Sequence, residues 1–398
     1  VYTPAALVAE TEEFPVTTTP AQRWLTTNYI LVGDTKATVD VTWTSDNANA
    51  SEVVYRHIPV QRNYRTNIYG ALLTNPAEYE VRIAPGFDGS NESFMQKNAD
   101  GTITCITPAL PAGVTVKDLN GKGGVAIGAD GNPFYFEATS ASVNEAMKNS
   151  SEIYFAPNVV INTRSHQMVV PQSGITVHGN GATLSGQEQD FSVNVGYESG
   201  STVDINISDL NGVKIWGMPS TGVVLNINLT NCSLFGSGPT DGSKSFVMTR
   251  GQDVNATVNI NLDDCYMKDS QDGVHSIYGG SVVFNNCTFE NVAVPLNLAK
   301  RSATQTADVK VVNCTFNGCG IAPDNTSSNA YNYAAPIRVV DNGGVANSMK
   351  LQVEGCTFTT TLSEWDILLM DYRDGKTWFP VEYTVTNCNP SDVKIRAN

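Results

Sequence analysis

Charge is scarce in this sequence, and what there is leans one way. Only 16% of its 398 residues are Asp, Glu, Lys or Arg, and 39 acids against 24 bases leave a net charge of −15. Such a balance argues against nucleic acid and against anionic membrane surfaces as partners. The four histidines, His57, His166, His178 and His275, are too scattered to hold a metal together, and no CxxC pair supplies thiolates at metal spacing. No apolar run is long enough to cross a bilayer, so no transmembrane segment is expected. The chain starts at Val1 rather than Met, and no signal peptide is visible. It reads as an exported protein whose targeting segment has been removed. Gly, Asn, Thr, Ser and Val are abundant instead, a composition that suits a β-rich chain.

What the sequence does have is a recurring phrase. Six times between residues 223 and 398, an alternating apolar run is followed by Asn, Asp or Gly and then Cys. The cysteines are Cys232, Cys265, Cys287, Cys314, Cys356 and Cys388. An earlier variant, Val203–Gly212, carries Leu210 in the Cys slot. Five and three residues before each Cys stand apolar pairs such as Ile227/Leu229, Ile260/Leu262 and Val309/Val311. That is the period of a strand with one buried face. Two residues after Cys comes Leu234, Met267, Phe289, Phe316 or Phe358. The two sets differ by an odd count, so a straight strand cannot bury both and the chain must bend between them. Asn231, Asp264, Asn286, Asn313, Gly355 and Asn387 stand at the bend. These residue types tolerate left-handed backbone angles.

The Cys-to-Cys steps are 33, 22, 27, 42 and 32 residues. Repeats of this length with no helix between them predict stacked coils, with the variable length placed in loops. The fold class is therefore all-β: a right-handed parallel β-helix over 106–398, preceded by a small antiparallel β-domain over 1–105. The phrase resembles the coils of the pectate-lyase-like β-helix superfamily over roughly residues 120–398. That resemblance speaks for fold and says little about chemistry. Stacked coils lie about 4.8 Å apart with parallel side chains, whereas a disulfide wants Cβ atoms about 3.8 Å apart. The six ladder cysteines are read as free, buried, stacked small hydrophobes, while Cys105 and Cys319 stand apart from the ladder.

Ahead of the repeats, Trp24–Gly33 and Ala37–Ser45 are strand candidates. Then comes Pro59-Val60-Gln61-Arg62-Asn63-Tyr64-Arg65-Thr66-Asn67-Ile68-Tyr69-Gly70, followed by Leu72-Leu73-Thr74 and Tyr79–Ile83. With Trp24 and Asn28-Tyr29 before it, this run resembles the fimbrillin-like (Mfa-like) domain over about residues 20–88. Only the later part of that β-sandwich is matched. The resemblance implies an exported lipoprotein, pilus or adhesin subunit with fimbrial or surface-assembly partners. Arg62, Arg65 and Asn67 read as turn-fixing residues. Residues 88–132 are loop-rich. Helical spacing at Val143, Ala146 and Met147, with Ser140 or Ser142 as N-cap, predicts a capping helix near 140–149 over the open end of the coil stack.

Candidate site residues gather at the ends of the strands that follow each phrase. If the chain is an enzyme, Asp371 with Asp374, or Asp341 with Asp371, would be the paired carboxylates of glycoside hydrolysis. Lys300 or Arg301 would be the base of a polysaccharide lyase, with Ca²⁺ on the Asp groups. An Asp-Asp pair followed by His-Gly and a basic triplet, which the superfamily's galacturonidases would show, is not found. If the chain binds rather than reacts, Arg250, Tyr278, Arg338, Tyr372 and Arg373 form a charged and aromatic row suited to a glycan or a host surface, and no cofactor is needed. The leading expectation is a non-catalytic cell-surface or extracellular adhesin, or a component of an adhesive structure, presenting a β-helix face. A lyase or hydrolase of acidic polysaccharide and a plain structural spacer are the alternatives.

Overall fold

The computed structural model describes residues 37–43, 53–60, 64–71, 75–85, 91–97, 103–106, 108–164, 167–186, 191–193, 196–239, 245–251, 254–320, 335–343, 348–370 and 379–397. The Trp24–Gly33 strand candidate lies outside them. The chain divides into two units, one of Val1–Met95 with Thr102–Cys105, the other of Gln96–Gly101 with Ile106–Asn398.

The first unit holds a single six-stranded sheet in the order Ala37–Trp43, Val53–Val60, Ile103–Ile106, Asn91–Lys97, Asn75–Pro85, Tyr64–Ala71. Its outer pairs are antiparallel, while Val53–Val60 runs parallel to Ile103–Ile106. Tyr55 and Ile58 are buried. The register slips at Asp40, where His57 adopts φ 58° and its N–H donates to the Asp40 carboxylate at 2.9 Å.

The second unit is a parallel β-helix, right-handed as parallel crossovers almost always are. Each full coil contributes strands to three faces. The first face is an eleven-stranded sheet that includes Thr202–Ser208, Val224–Thr230, Thr257–Asp263, Gly280–Asn285, Ala307–Val312, Met349–Glu354 and Glu382–Thr386. These strands pair in parallel and in register, so Ile205, Ile227, Ile260, Val282, Val309, Leu351 and Tyr383 form one inward row. Inward residues are buried along the stack until Tyr383 in the last coil, which is 42% exposed.

At the end of the first face the chain turns through one left-handed residue. Asp209, Asn231, Asp264, Asn286, Asn313 and Asn387 have φ between 50° and 57°, and Gly355 has 64°. The Asn231 amide donates to the Asp209 carboxylate of the coil before it at 2.6 Å. Past the corner, the second face begins with Cys. The carbonyls of Cys232, Cys265, Cys287, Cys314 and Cys356 each accept the N–H that follows the next Cys, at 2.8–2.9 Å. The six ladder cysteines therefore lie one above another, and they and Cys319 are free. Two residues on, Phe289, Phe316 and Phe358 stack with centroids 5.5 and 5.1 Å apart.

A second left-handed corner follows, four residues after Cys. Asp269, Asn291 and Thr360 have φ of 52–56°, and Gly318 has 60°. It turns the chain onto the third face: Phe191–Val193, Ile215–Gly217, Val247–Thr249, the later parts of Tyr266–Ser276 and Thr288–Lys300, then Ile337–Asp341, Ile367–Leu368 and Ile395–Arg396.

The helix Ser140–Asn149 buries Ser140, Val143, Ala146 and Met147 against the first coils. Its N-cap is Thr139, one residue before the expected serines; the Thr139 hydroxyl accepts from Ser142 N–H at 3.3 Å. Asn144 accepts from the Val169 N–H and donates to the Gln167 carbonyl. It thereby closes a strand edge that would otherwise invite pairing with another chain.

Two outcomes follow. Asn286→Ala puts a Cβ-bearing residue without a short polar side chain into the left-handed region. It should lower stability by about 1–2 kcal/mol in urea unfolding, and Asn286→Gly by less. Burial holds the Cys265 and Cys287 thiols well above the ordinary range, and that of Cys319 at about 12. A raised acid keeps its proton in the folded state while the unfolded thiol loses it. Stability should therefore be intact below about pH 8.5 and fall as pH rises beyond it. In native protein at pH 8, peptide mapping should find alkylation at half-buried Cys388 and none at Cys265, Cys287 or Cys319.

Candidate ligand-binding face

Strand alternation decides which residues of the third face reach solvent. Ile215, Val247, Val274, Leu296, Ile337 and Ile367 point inward and are buried. The residues after them, together with Arg396 after Ile395, form a second row: Trp216, Met248, His275, Asn297, Arg338, Leu368 and Arg396, paired strand to strand in that order, of which Asn297 and Leu368 are themselves buried. Six steps of about 4.8 Å make the row about 29 Å long. At one end the Arg250 guanidinium lies over the Trp216 ring at 5.4 Å. At the other, Arg396 lies 6.0 Å from the Trp365 ring. No position of the row is a carboxylate, whereas outward positions on the first face include Glu152, Asp204, Asp263, Asp308, Glu354 and Glu382. Three arginines, Arg250, Arg338 and Arg396, thus lie along this face, two of them against tryptophan rings.

The middle of the row is a linked set of side chains. Arg338 Nη1 donates to Asn297 Oδ1 at 2.6 Å, and Asn297 Nδ2 donates to Asp272 Oδ1 at 3.2 Å. Asp272 Oδ2 lies 3.6 Å from His275 Nδ1. The Asp272 side chain is 2% exposed and that of His275 16%. A second polar place lies on the first face, an open cleft of about 310 Å³ whose walls include Glu152, Thr176, Asp204 and Asn206.

Of the residues singled out in the sequence, Arg338 belongs to this row and Arg250 lies beside its Trp216 end. Arg301 is exposed just past the strand Thr288–Lys300. Asp371, Tyr372, Arg373 and Asp374 lie outside the described residues. Three others are not on the surface. Tyr278 is 1% exposed, because the chain turns after Ser276 and carries the ring inward. Lys300 and Asp341 are both fully buried and 3.0 Å apart. Lys300 shares the parity of Leu296 and Leu298, and Asp341 that of Ile337 and Val339, so strand alternation turns both toward the core. Ser348 Oγ and Gly343 N donate to the Asp341 carboxylate at 2.6 and 2.9 Å, and Lys300 Nζ donates to the Ser302 carbonyl at 2.8 Å. This pair is a structural tie between two coils. Lys300 is in no position to act as the base of a lyase, nor Asp341 as an exposed catalytic carboxylate.

Among the described residues, no group of three or more His, Cys, Asp or Glu side chains could hold a metal ion. Nor is any helix there long and apolar enough to cross a membrane. The protein is thus of the β-helix class with an elongated polar face. Residues 2–107 match the model of a family of unknown function, DUF6562. No curated protein matches the chain.

Removing one partner of the buried pair strands the other charge. Asp341→Asn should cost about 3–5 kcal/mol in urea unfolding. The double change Lys300→Met with Asp341→Leu should recover part of that loss, since no buried ion is then left uncompensated.

Proposed function

We propose that this protein is an exported surface protein, an adhesin or component of an adhesive structure, whose β-helix binds a linear glycan along the third face. The observation that carries the reading is the register that lines up Trp216, Met248, His275, Arg338 and Arg396 in one partly exposed row, with Asn297 and Leu368 buried within it. A row about 29 Å long spans several sugar units. Its aromatic rings offer apolar faces to sugar rings, and its amide and guanidinium groups offer hydrogen bonds to hydroxyls and to acidic substituents. A stack of rigid strands holds these groups in place before the ligand arrives, which reduces the ordering cost of binding. The resemblance of Pro59–Gly70 to fimbrillin-like proteins supports the surface role. Burial of the Lys300–Asp341 pair counts against Lys300 and Asp341 as the reacting groups of the polysaccharide-degrading alternative.

A glycan array probed with the whole chain should give binding to extended polysaccharides, stronger for acidic than for neutral ones and weakened by salt. Trp216→Ala and Arg338→Ala should each reduce affinity by about tenfold or more. Substitution of Glu152, on the first face, should leave it unchanged. Binding to nothing on the array, or binding indifferent to both row variants, would refute the reading.

A further inference from the structure

The four linked side chains at the centre of the row do more than a binding surface requires. Asp272 is a carboxylate at 2% exposure, placed behind an imidazole. Asn297 holds one of its oxygens and is itself held by Arg338. Its other oxygen faces His275 Nδ1. That nitrogen is fully buried and makes no hydrogen bond, with the Asp272 carboxylate 3.6 Å away. The exposed part of the imidazole therefore lies elsewhere on the ring. A carboxylate that closes onto Nδ1 favours the tautomer with its proton there and leaves Nε2 as the basic nitrogen. The contact is loose, as such contacts often are before a substrate binds.

We infer that Asp272 and His275 form a proton-transfer dyad that hydrolyses acyl esters on the hydroxyls of a carbohydrate lying along this row. The inference rests on the glycan-binding reading of the row and adds an activity to it. The residues around the dyad select this reaction. Among the described residues, the strand neighbours of His275 are Met248 and Asn297, neither of them a nucleophile, so in this scheme water attacks directly. The carboxylate sits behind the imidazole and cannot touch a substrate, so the two-carboxylate route to glycoside cleavage is not the one this cluster offers. A single base suffices for an acyl carbon. His275 Nε2 takes a proton from water as the water oxygen bonds to the carbonyl carbon, and negative charge collects on the former carbonyl oxygen. Arg338, two strands away in the row, supplies positive charge on that side. The carbonyl re-forms, the bond to the sugar oxygen breaks, and the imidazolium returns its proton to that oxygen. A free hydroxyl and a carboxylic acid leave. His275 is the catalytic residue; Asp272 and Asn297 are positioning residues.

The test uses the whole chain with an O-acetylated polysaccharide and with 4-nitrophenyl acetate, reading released acetate and nitrophenol. Wild type should turn over the acetylated polysaccharide well above the uncatalysed rate. His275→Ala should lose about 100-fold or more in kcat. Asp272→Asn should lower kcat with KM within about twofold of wild type, and Asn297→Ala should do the same more weakly. Nitrogen spectra of ¹⁵N-histidine-labelled protein should place the His275 proton on Nδ1 in wild type and on both nitrogens in Asp272→Asn, a readout that does not depend on turnover. Glycan binding without deacylation by wild type, or His275→Ala as active as wild type, overturns the dyad while leaving the binding reading intact. Absence of any glycan binding, by contrast, defeats the reading on which it rests.

Discussion

Everything in the second unit depends on the hydrogen bonds that join each coil to the next. They form only if successive coils keep the same register through two sharp corners. One left-handed residue at each corner achieves this, because it turns the chain within a single peptide and leaves the following N–H aimed at the coil before it. The first corner is occupied by Asn or Asp at six of its seven positions, residues that pay less than others for left-handed angles. Once the corners are in register, the cysteines, the phenylalanines and the inward rows must align. The packed core is a consequence of backbone geometry as much as its cause.

That dependence explains how far the sequence could be read. The bend before each Cys was legible because two apolar sets of opposite parity flank an Asn, Asp or Gly. The second bend, at Asp269, Asn291, Gly318 and Thr360, was not. Its residues are less uniform, and the apolar spacing after it varies from coil to coil. Missing it also lost the parity of the third face. Lys300 and Asp341 looked like polar groups at strand exits, yet counting alternate residues from Leu296 and Ile337 turns them inward. Tyr278 looked like a surface aromatic for the same reason. Asp272 gave no signal in the chain; only the pairing of its strand with Thr288–Lys300 brings it against Asn297.

The third face combines two kinds of polar group with different origins. Some, such as Lys300 with Asp341, are buried and fully engaged, and they tie neighbouring coils across long insertions. Others, such as Trp216 with Arg250 and the Arg338–Asn297–Asp272 series, lie at or just below the surface and face outward from the same strands. Both kinds sit on strands spaced by the same register, so a change that shifts one coil would displace the outward groups as surely as the inward ones. The position of a ligand on this face is thus set by the same registry that holds the core.

The direction of the coil-to-coil bonds has a mechanical consequence. They run along the axis of the stack, so tension applied along that axis loads the interfaces in series, and the weakest interface sets the rupture force. Force applied across the axis instead shares the load among all the bonds of one interface at once. A body of this construction resists sideways drag far better than end-on pulling, and coils tied by a buried ion pair would be the last to peel apart.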